Sequence, residues 1–223
     1  MRFPLLKKLQ LARKAFLTHA WRVHFSQHGE DIILAGWTHD RPAGFYVDVG
    51  CWHPKKFSNT YALYKRGWSG INIDIDADKI ACFNLARPRD TNVVAAVSDS
   101  SESMEVYSDG KFSLATTLDA SQSANPALST RRRVMTTTLT EILDASAFRD
   151  RPIDLLTVDV EGFDSRVLRG LDFHRYRPRI VLVELFAHTI EQLLQSEIHR
   201  LMTDKGYWLR NWVGVTAFYE RIH

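Results

Sequence analysis

The sequence predicts an α/β protein with one mostly parallel sheet and helices on both of its faces. Three observations predict it. Short apolar runs recur along the chain, separated by stretches of helical spacing. The first run, Phe45-Tyr46-Val47-Asp48-Val49, ends at Gly50, where a chain can turn sharply and approach a ligand closely. An acidic residue, Asp74, follows Gly50 by twenty-four residues near the end of the second run, with Asp76 beside it.

In chain order the strand candidates are 45–49, 71–75, 93–97, 155–158 and 180–185, with two more at 207–210 and 215–219. Helices are expected at 59–66, 77–86, 138–147, 165–171 and 190–205. The third is the best marked: Thr138 and Glu141 fit a capping box, and Leu139, Ile142 and Leu143 supply an apolar face. Lys205-Gly206 marks a helix stop. Between 104 and 133 the rhythm breaks. Residues 104–107 and 111–114 read as a hairpin through Ser108-Asp109-Gly110. Residues 115–130 are rich in Ser, Thr and Ala, show no period, and end at Arg131-Arg132-Arg133. A loop this long is either a substrate-covering loop or a surface excursion, and the arginines read as a solvated face.

The 223 residues suit one domain with a sizeable core, and no internal repeat or second domain is visible. We expect a single domain over 26–223, preceded by an amphipathic helical extension at 1–25. In that extension Leu5, Leu6, Leu9, Ala12, Phe16 and Leu17 fall near helical spacing, with Lys7, Lys8, Arg13 and Lys14 between them. The charges interrupt the apolar run, so it reads as neither a signal peptide nor a membrane span. It is either a helix packed on the domain or one that touches a membrane surface or a partner. A net charge of +3, from 29 basic and 26 acidic residues, is too balanced to argue for nucleic acid. Two cysteines, Cys51 and Cys82, form no zinc spacing and no disulfide framework, so a reducing cytoplasm is the simplest home.

Four segments carry the chemistry. In Val47-Asp48-Val49-Gly50, Asp48 at the strand end can accept from backbone amides or a ligand ammonium group. One glycine is not GxGxxG, and with no P-loop lysine a pyrophosphate cradle is disfavoured. A nucleoside ligand without phosphates fits better. Asp74 is the first choice to grip both ribose hydroxyls, because Ile71, Ile73 and Ile75 define the opposite pleat face, and Asp76 is the fallback. Ser98-Asp99, at the end of the third run, could contact an adenine amino group or form a simple turn. Asp159 and Glu161 lie two apart after an apolar run and share a face if the strand continues through them. Two carboxylates at one mouth can position a hydroxyl, act as a base or hold a divalent ion. Otherwise one of them caps the next helix.

These segments bring a known family into view. The chain resembles the FkbM family of methyltransferases, in the subgroup opening with Ser26-Gln27-His28-Gly29-Glu30-Asp31. The resemblance continues through Tyr46-Val47-Asp48-Val49-Gly50, His53-Pro54, Ser58-Asn59-Thr60 and Gly67-Trp68-Ser69-Gly70-Ile71-Asn72-Ile73-Asp74. It closes on Asp159-Val160-Glu161-Gly162-Phe163-Asp164 with Val167-Leu168-Arg169-Gly170. It implies a class I methyltransferase fold, a seven-stranded sheet with the last strand antiparallel, and S-adenosylmethionine in the crevice. It implies Asp48 and Gly50 at the methionine part of that cofactor, Asp74 at its ribose, and Ser98 and Asp99 at its adenine. Gln27, Glu30 and Asn59 would close the pocket. The reaction it implies is O-methylation of a sugar or another small metabolite.

A base must take the hydroxyl proton, and Asp159, Glu161, His53 and His188 are the candidates. Glu184, in the run 180–185, joins the carboxylates on the substrate side. No metal ligand set is assigned from the sequence. Trp52, Trp208 and Trp212 could stack on sugar faces or lie in the core. One rival is a NAD-dependent nucleotide-sugar oxidoreductase using Tyr61 and Lys65, which have the Tyr-x-x-x-Lys spacing. The other is a non-catalytic binding module of the same fold.

Overall fold

The computed structural model describes residues 5–17, 22–110, 112–113, 116–118 and 125–222. The elements run α1 (Leu5–Phe16), α2 (Glu30–Trp37), β1 (Phe45–Val49), α3 (Tyr61–Lys65), β2 (Ser69–Asp74), α4 (Ala77–Ala86), β3 (Thr91–Val94), β4 (Ala96–Ser98) and β5 (Ser103–Ser108). There follow β6 (Thr130–Thr138), α5 (Leu139–Ala145), β7 (Leu155–Val158), α6 (Asp164–Arg169), β8 (Ile180–Glu184), α7 (Ile190–Gln195), α8 (Glu197–Asp204), β9 (Tyr207–Val213) and β10 (Thr216–Arg221).

Seven strands form the main sheet in the order β3-β2-β1-β7-β8-β10-β9. Every pairing from β3 to β8 is parallel, and β10 runs antiparallel to both β8 and β9. This is the class I methyltransferase arrangement that the sequence led us to expect. The chain winds outward from β1 to β3, then restarts beside β1 at β7. A crevice opens where the winding reverses, at the carboxyl ends of the strands. The register sets the depth of that crevice. Val49 pairs with Ile73 on one side and Val158 on the other, and Val158 pairs with Val183. Gly50, Asp74, Asp159 and Glu184 therefore emerge along one edge.

Alternation in β1 feeds two cores. Phe45, Val47 and Val49 join Leu139 and Leu143 of α5, Val167 and Leu168 of α6, and Leu193 and Met202 of α7 and α8. Tyr46 points the other way, to Leu34, Leu63 and Trp68. Asp48 lies on that second face, two residues along, so its carboxylate arrives buried beside α3.

Several elements differ from expectation, each for a local reason. The run 93–97 divides, because the chain leaves the main sheet at Ala95, and β4 enters a separate three-stranded sheet ordered β4-β6-β5. The expected hairpin at Asp109-Gly110 is not the pairing of β5. That strand pairs antiparallel with β6, from Ser103 opposite Met135 to Ser108 opposite Thr130. The β-branched residues Val134, Thr136, Thr137 and Thr138 make β6 the stronger partner; Lys111 and Leu114 of the expected second strand lie outside the described residues. Arg131, Arg132 and Arg133 sit exposed on β6, with Arg133 directly opposite Glu105. The helix expected at 190–205 breaks at Ser196, whose backbone is extended and whose hydroxyl caps α8 through the His199 amide at 3.0 Å. The capping box of Thr138 and Glu141 is present as expected.

The N-terminal segment forms the expected helix, but none of α1 is buried. Leu5 is 75% exposed and Phe16 82%, so the reading in which it packs on the domain does not hold for the described residues. No helix among the described residues is long and apolar enough to cross a membrane.

Candidate active site

The crevice is a cavity of about 440 Å³ bounded by the ends of β1, β2, β7 and β8. That volume lies within the range of about 300–1,000 Å³ usual for small-molecule sites. Gly50 forms its floor. The residue has φ +84°, and a Cβ there would lie 1.6 Å from the Asp159 carbonyl oxygen, so only glycine lets β1 and β7 end this close together. The Gly50 and Cys51 amides both donate to the Ile73 carbonyl and tie the turn to β2.

On one wall stand Asp48 and Asp74. Asp48 accepts from the Thr60 hydroxyl at 2.6 Å. Thr60 in turn accepts from Arg87 at 2.7 Å, and Arg87 also donates to Ser58 and to the Pro54 carbonyl. Burial pushes the Asp48 carboxyl up to about 6; the Thr60 hydrogen bond and Arg87 pull it down, while Asp90 and Asp74 push it further up. Asp74 accepts from the Asp76 amide at 2.7 Å and pairs with the buried Lys79 ammonium at 3.3 Å. Asp76, the fallback, caps α4 through the Asp78 amide. Lys79 and Arg87 carry no signal in the sequence, because a lysine or arginine in or beside an amphipathic helix ordinarily faces solvent.

The apolar part of the lining consists of Ile73, Ile75, Ala95, Ala96, Val97, Leu118 and Phe163, among others. Here the structure corrects the assignment of Ser98 and Asp99. Neither lines the cavity. Ser98 is fully buried at the end of β4, and Asp99 pairs with Arg166 at 2.6 Å on the far side. The strand needed to aim them at a ligand has already left the main sheet.

Asp159, Glu161 and Glu184 also line the cavity, with one carboxylate oxygen from each lying within 4.8 Å of the others. The Glu184 carboxyl is held well above the usual range by burial and then by the negative charges of Asp159, Asp164 and Glu161; Asp159, exposed at the cavity, is raised too, by desolvation there and then by Asp164 and Glu161. Glu161 is also raised by burial. Its backbone has φ 51°, and its carbonyl accepts from the Thr117 hydroxyl at 2.7 Å. Asp164, the last acid of the segment, turns away to accept from the Val160 and Gly162 amides. Thr117 and Leu118, from the aperiodic segment 115–130, line the cavity; most of that segment lies outside the described residues.

The remaining candidates divide. Gln27 and Asn59 line the cavity, Asn59 donating to Thr157 at 3.2 Å. Glu30 stands behind it, accepting from Thr216 and from the His28 amide, and so braces the Gln27-His28 turn from outside. His53 lines the mouth, but the Lys55 and Lys56 amides both donate to its Nδ1 at 3.0 Å. That fixes the ring proton on Nε2 and makes His53 a donor, with no free lone pair for a base. Burial, and then Lys56, Arg87 and Lys55, lower its pKa further. His188 is exposed beyond β8 and does not reach the cavity. Trp52 lines the mouth, stacked on Phe57 at 5.6 Å. Trp208 points outward from β9, and Trp212 packs on the core. Tyr61 and Lys65 lie on α3 away from the cavity, so the oxidoreductase pair has no site to serve.

A family model, the methyltransferase FkbM domain, matches residues 46–209, from β1 into β9. The chain belongs to the FkbM methyltransferase family. The activity of this FkbM protein is accordingly methyl transfer. A search for similar sequences among curated proteins gave no significant match. Among solved structures it is similar to a TehB-like SAM-dependent methyltransferase from Corynebacterium glutamicum, with 13% identity, TM-score 0.45, and coverage of 97% of this chain and 96% of that one. It is similar to monomeric WbdD, with 13% identity, TM-score 0.47, and coverage of 95% of this chain and 44% of that one. A precorrin-6y C5,15-methyltransferase from Geobacter metallireducens aligns with 10% identity, TM-score 0.41, and coverage of 85% and 84%.

Proposed function

We propose that this FkbM protein transfers a methyl group from S-adenosylmethionine to a hydroxyl of a sugar or glycan-type metabolite. The observation that carries this reading is one cavity lined both by acids, Asp48 and Asp74 with Asp159, Glu161 and Glu184, and by the apolar residues Ile73, Ile75, Ala95, Ala96, Val97, Leu118 and Phe163. Asp48 and Asp74 suit an ammonium group and a ribose diol. The slot from Ile73 to Val97 suits a flat purine. Asp159, Glu161 and Glu184 suit a hydroxylated acceptor.

S-adenosylmethionine supplies a methyl already activated on a sulfonium. The protein's task is then alignment, desolvation and removal of one proton. Asp159 and Glu161 are the groups that orient the acceptor hydroxyl and accept its proton, since both line the cavity with their carboxylates close together. Trp52 and Phe57 offer stacked rings at the mouth for a sugar face. Nothing in the charge balance favours a nucleic acid acceptor.

Calorimetric titration with S-adenosylmethionine, S-adenosylhomocysteine and NAD tests the reading. The first two are expected to bind and NAD is not; preference for NAD would overturn it. The pH dependence follows from Asp48. An ammonium partner needs the carboxylate, so affinity is expected to be flat above about pH 6 and to fall about tenfold per unit below it. Stability of the ligand-free protein moves the other way. The folded pKa lies above the unfolded one, so the folded state binds the proton more tightly, and Asp48 lowers stability as pH rises from about 4 to 6.

The same proposal places α1 on an anionic membrane surface. Its apolar residues are exposed, and four basic residues lie among them without an acidic one. Co-sedimentation with phosphatidylserine vesicles is expected for the full chain, and much less with phosphatidylcholine alone. Equal recovery in the absence of vesicles would remove this part.

A further inference from the structure

We propose that Asp159, Glu161 and Glu184 form a binding site for a divalent cation of the magnesium or manganese kind. The three carboxylates come from the ends of two adjacent parallel strands, β7 and β8, and one oxygen of each lies within 4.8 Å of the other two. An octahedral ion with bonds of about 2.1 Å needs donors about 3 to 4.2 Å apart.

A second observation points into the same space. Glu184 is 8% exposed and lines the cavity, its Oε2 is fully buried without a donor, and its carboxylate lies within hydrogen-bonding reach of the Asp159 carboxylate, itself an acceptor. A buried carboxylate oxygen ordinarily has a donor, and leaving one without costs about 1–3 kcal/mol or more. Among the described residues, no lysine, arginine or histidine forms an ion pair with any of the three acids. Lys79, whose charge reaches Glu161, is held by Asp74. The cluster therefore has acceptors converging on one point and nothing positive at that point.

The donor set selects the ion. Three carboxylates with room for water suit a hard, oxygen-preferring cation, whereas zinc or copper would want imidazole or thiolate. Glu161 is held in place from behind, since Thr117 fastens its carbonyl while the carboxylate stays free to turn. On the methyltransferase reading, on which only this clause rests, the ion would bind the acceptor's hydroxyl oxygen and so favour neighbouring hydroxyls that can chelate it.

The test is titration of the full chain with Mn²⁺, followed by electron paramagnetic resonance of the free ion, with S-adenosylhomocysteine binding measured separately. One saturable Mn²⁺ per chain is expected, weakened about tenfold or more in Glu184→Gln and in Glu161→Gln, with S-adenosylhomocysteine still bound by both variants. Glu161→Gln alters a half-buried side chain, so it keeps the test informative if the Glu184 variant misfolds. Non-saturating Mn²⁺ binding, or saturable binding unchanged in both variants, would overturn the site. Saturable Mn²⁺ without any binding of S-adenosylmethionine or its product supports the site and defeats the methyltransferase reading instead.

Discussion

Arg87→Met is expected to lower the free energy of unfolding by about 3–5 kcal/mol, the range for removing one partner of a buried charged network. Arg87 is wholly buried. Its guanidinium donates to Pro54, Ser58 and Thr60, and it lies 4.0 Å from Asp90. Asp90 in turn accepts from Tyr46, Asn72 and the Gly70 amide. The rings of Tyr61, Tyr64 and Phe83 stand 5.0–5.7 Å from the cation. Methionine keeps much of the volume but leaves two buried carboxylates, Asp48 and Asp90, without their positive neighbour. The Asp48 carboxyl then rises further, so the pH below which cofactor affinity falls should move upward. Urea unfolding and calorimetry read the two effects. A loss below about 1 kcal/mol would show that the network contributes little. Arg87→Lys should recover only part, because an ammonium cannot span three acceptors in a plane.

Asp74→Ala is expected to weaken S-adenosylmethionine binding about a hundredfold or more. Two hydrogen bonds donated by a ribose diol to a carboxylate contribute about 1.5–3 kcal/mol each. The same change strands the Lys79 ammonium in a buried position, so stability should fall too. The double variant with Lys79→Met should restore stability but not affinity, which separates the two roles. Asp99→Ala is the control: its carboxylate is turned to Arg166, and cofactor affinity should be unchanged. If Asp99→Ala weakens binding as much as Asp74→Ala, the placement of the adenine end in the slot beside Ala95–Val97 is wrong.

The contrast between these two aspartates shows how far the residues could be read in advance. Asp48, Gly50 and Asp74 were legible because their signal is local. A glycine after a buried strand and an acid at the end of the next strand meet at one edge whenever consecutive parallel strands pair in register. Asp159 was legible as an acid just past an apolar strand, but the strand ends at Val158 instead of continuing through both acids, and a turn with Glu161 at φ 51° brings the second carboxylate to the first. Ser98 and Asp99 carry an identical local pattern, yet their strand had already crossed into the smaller sheet, which depends on a partner, β6, more than thirty residues away. His53 and His188 were legible as histidines near strand ends. Whether either could take a proton was decided by two backbone amides at the first and by the outward path of the chain at the second.

The sequence by itself marked most of the parallel strands and the acids at their carboxyl ends, because apolar runs, glycine turns and helix caps act over a few residues. Only the tertiary structure decided that β5 pairs with β6, that Arg87 and Lys79 are buried partners of the cofactor-side aspartates, and that Glu184 meets Asp159 and Glu161 around one point. Each of these rests on contacts between residues distant in the chain. Their strength comes from burial and like-charge crowding, which exist only once the chain has closed around them.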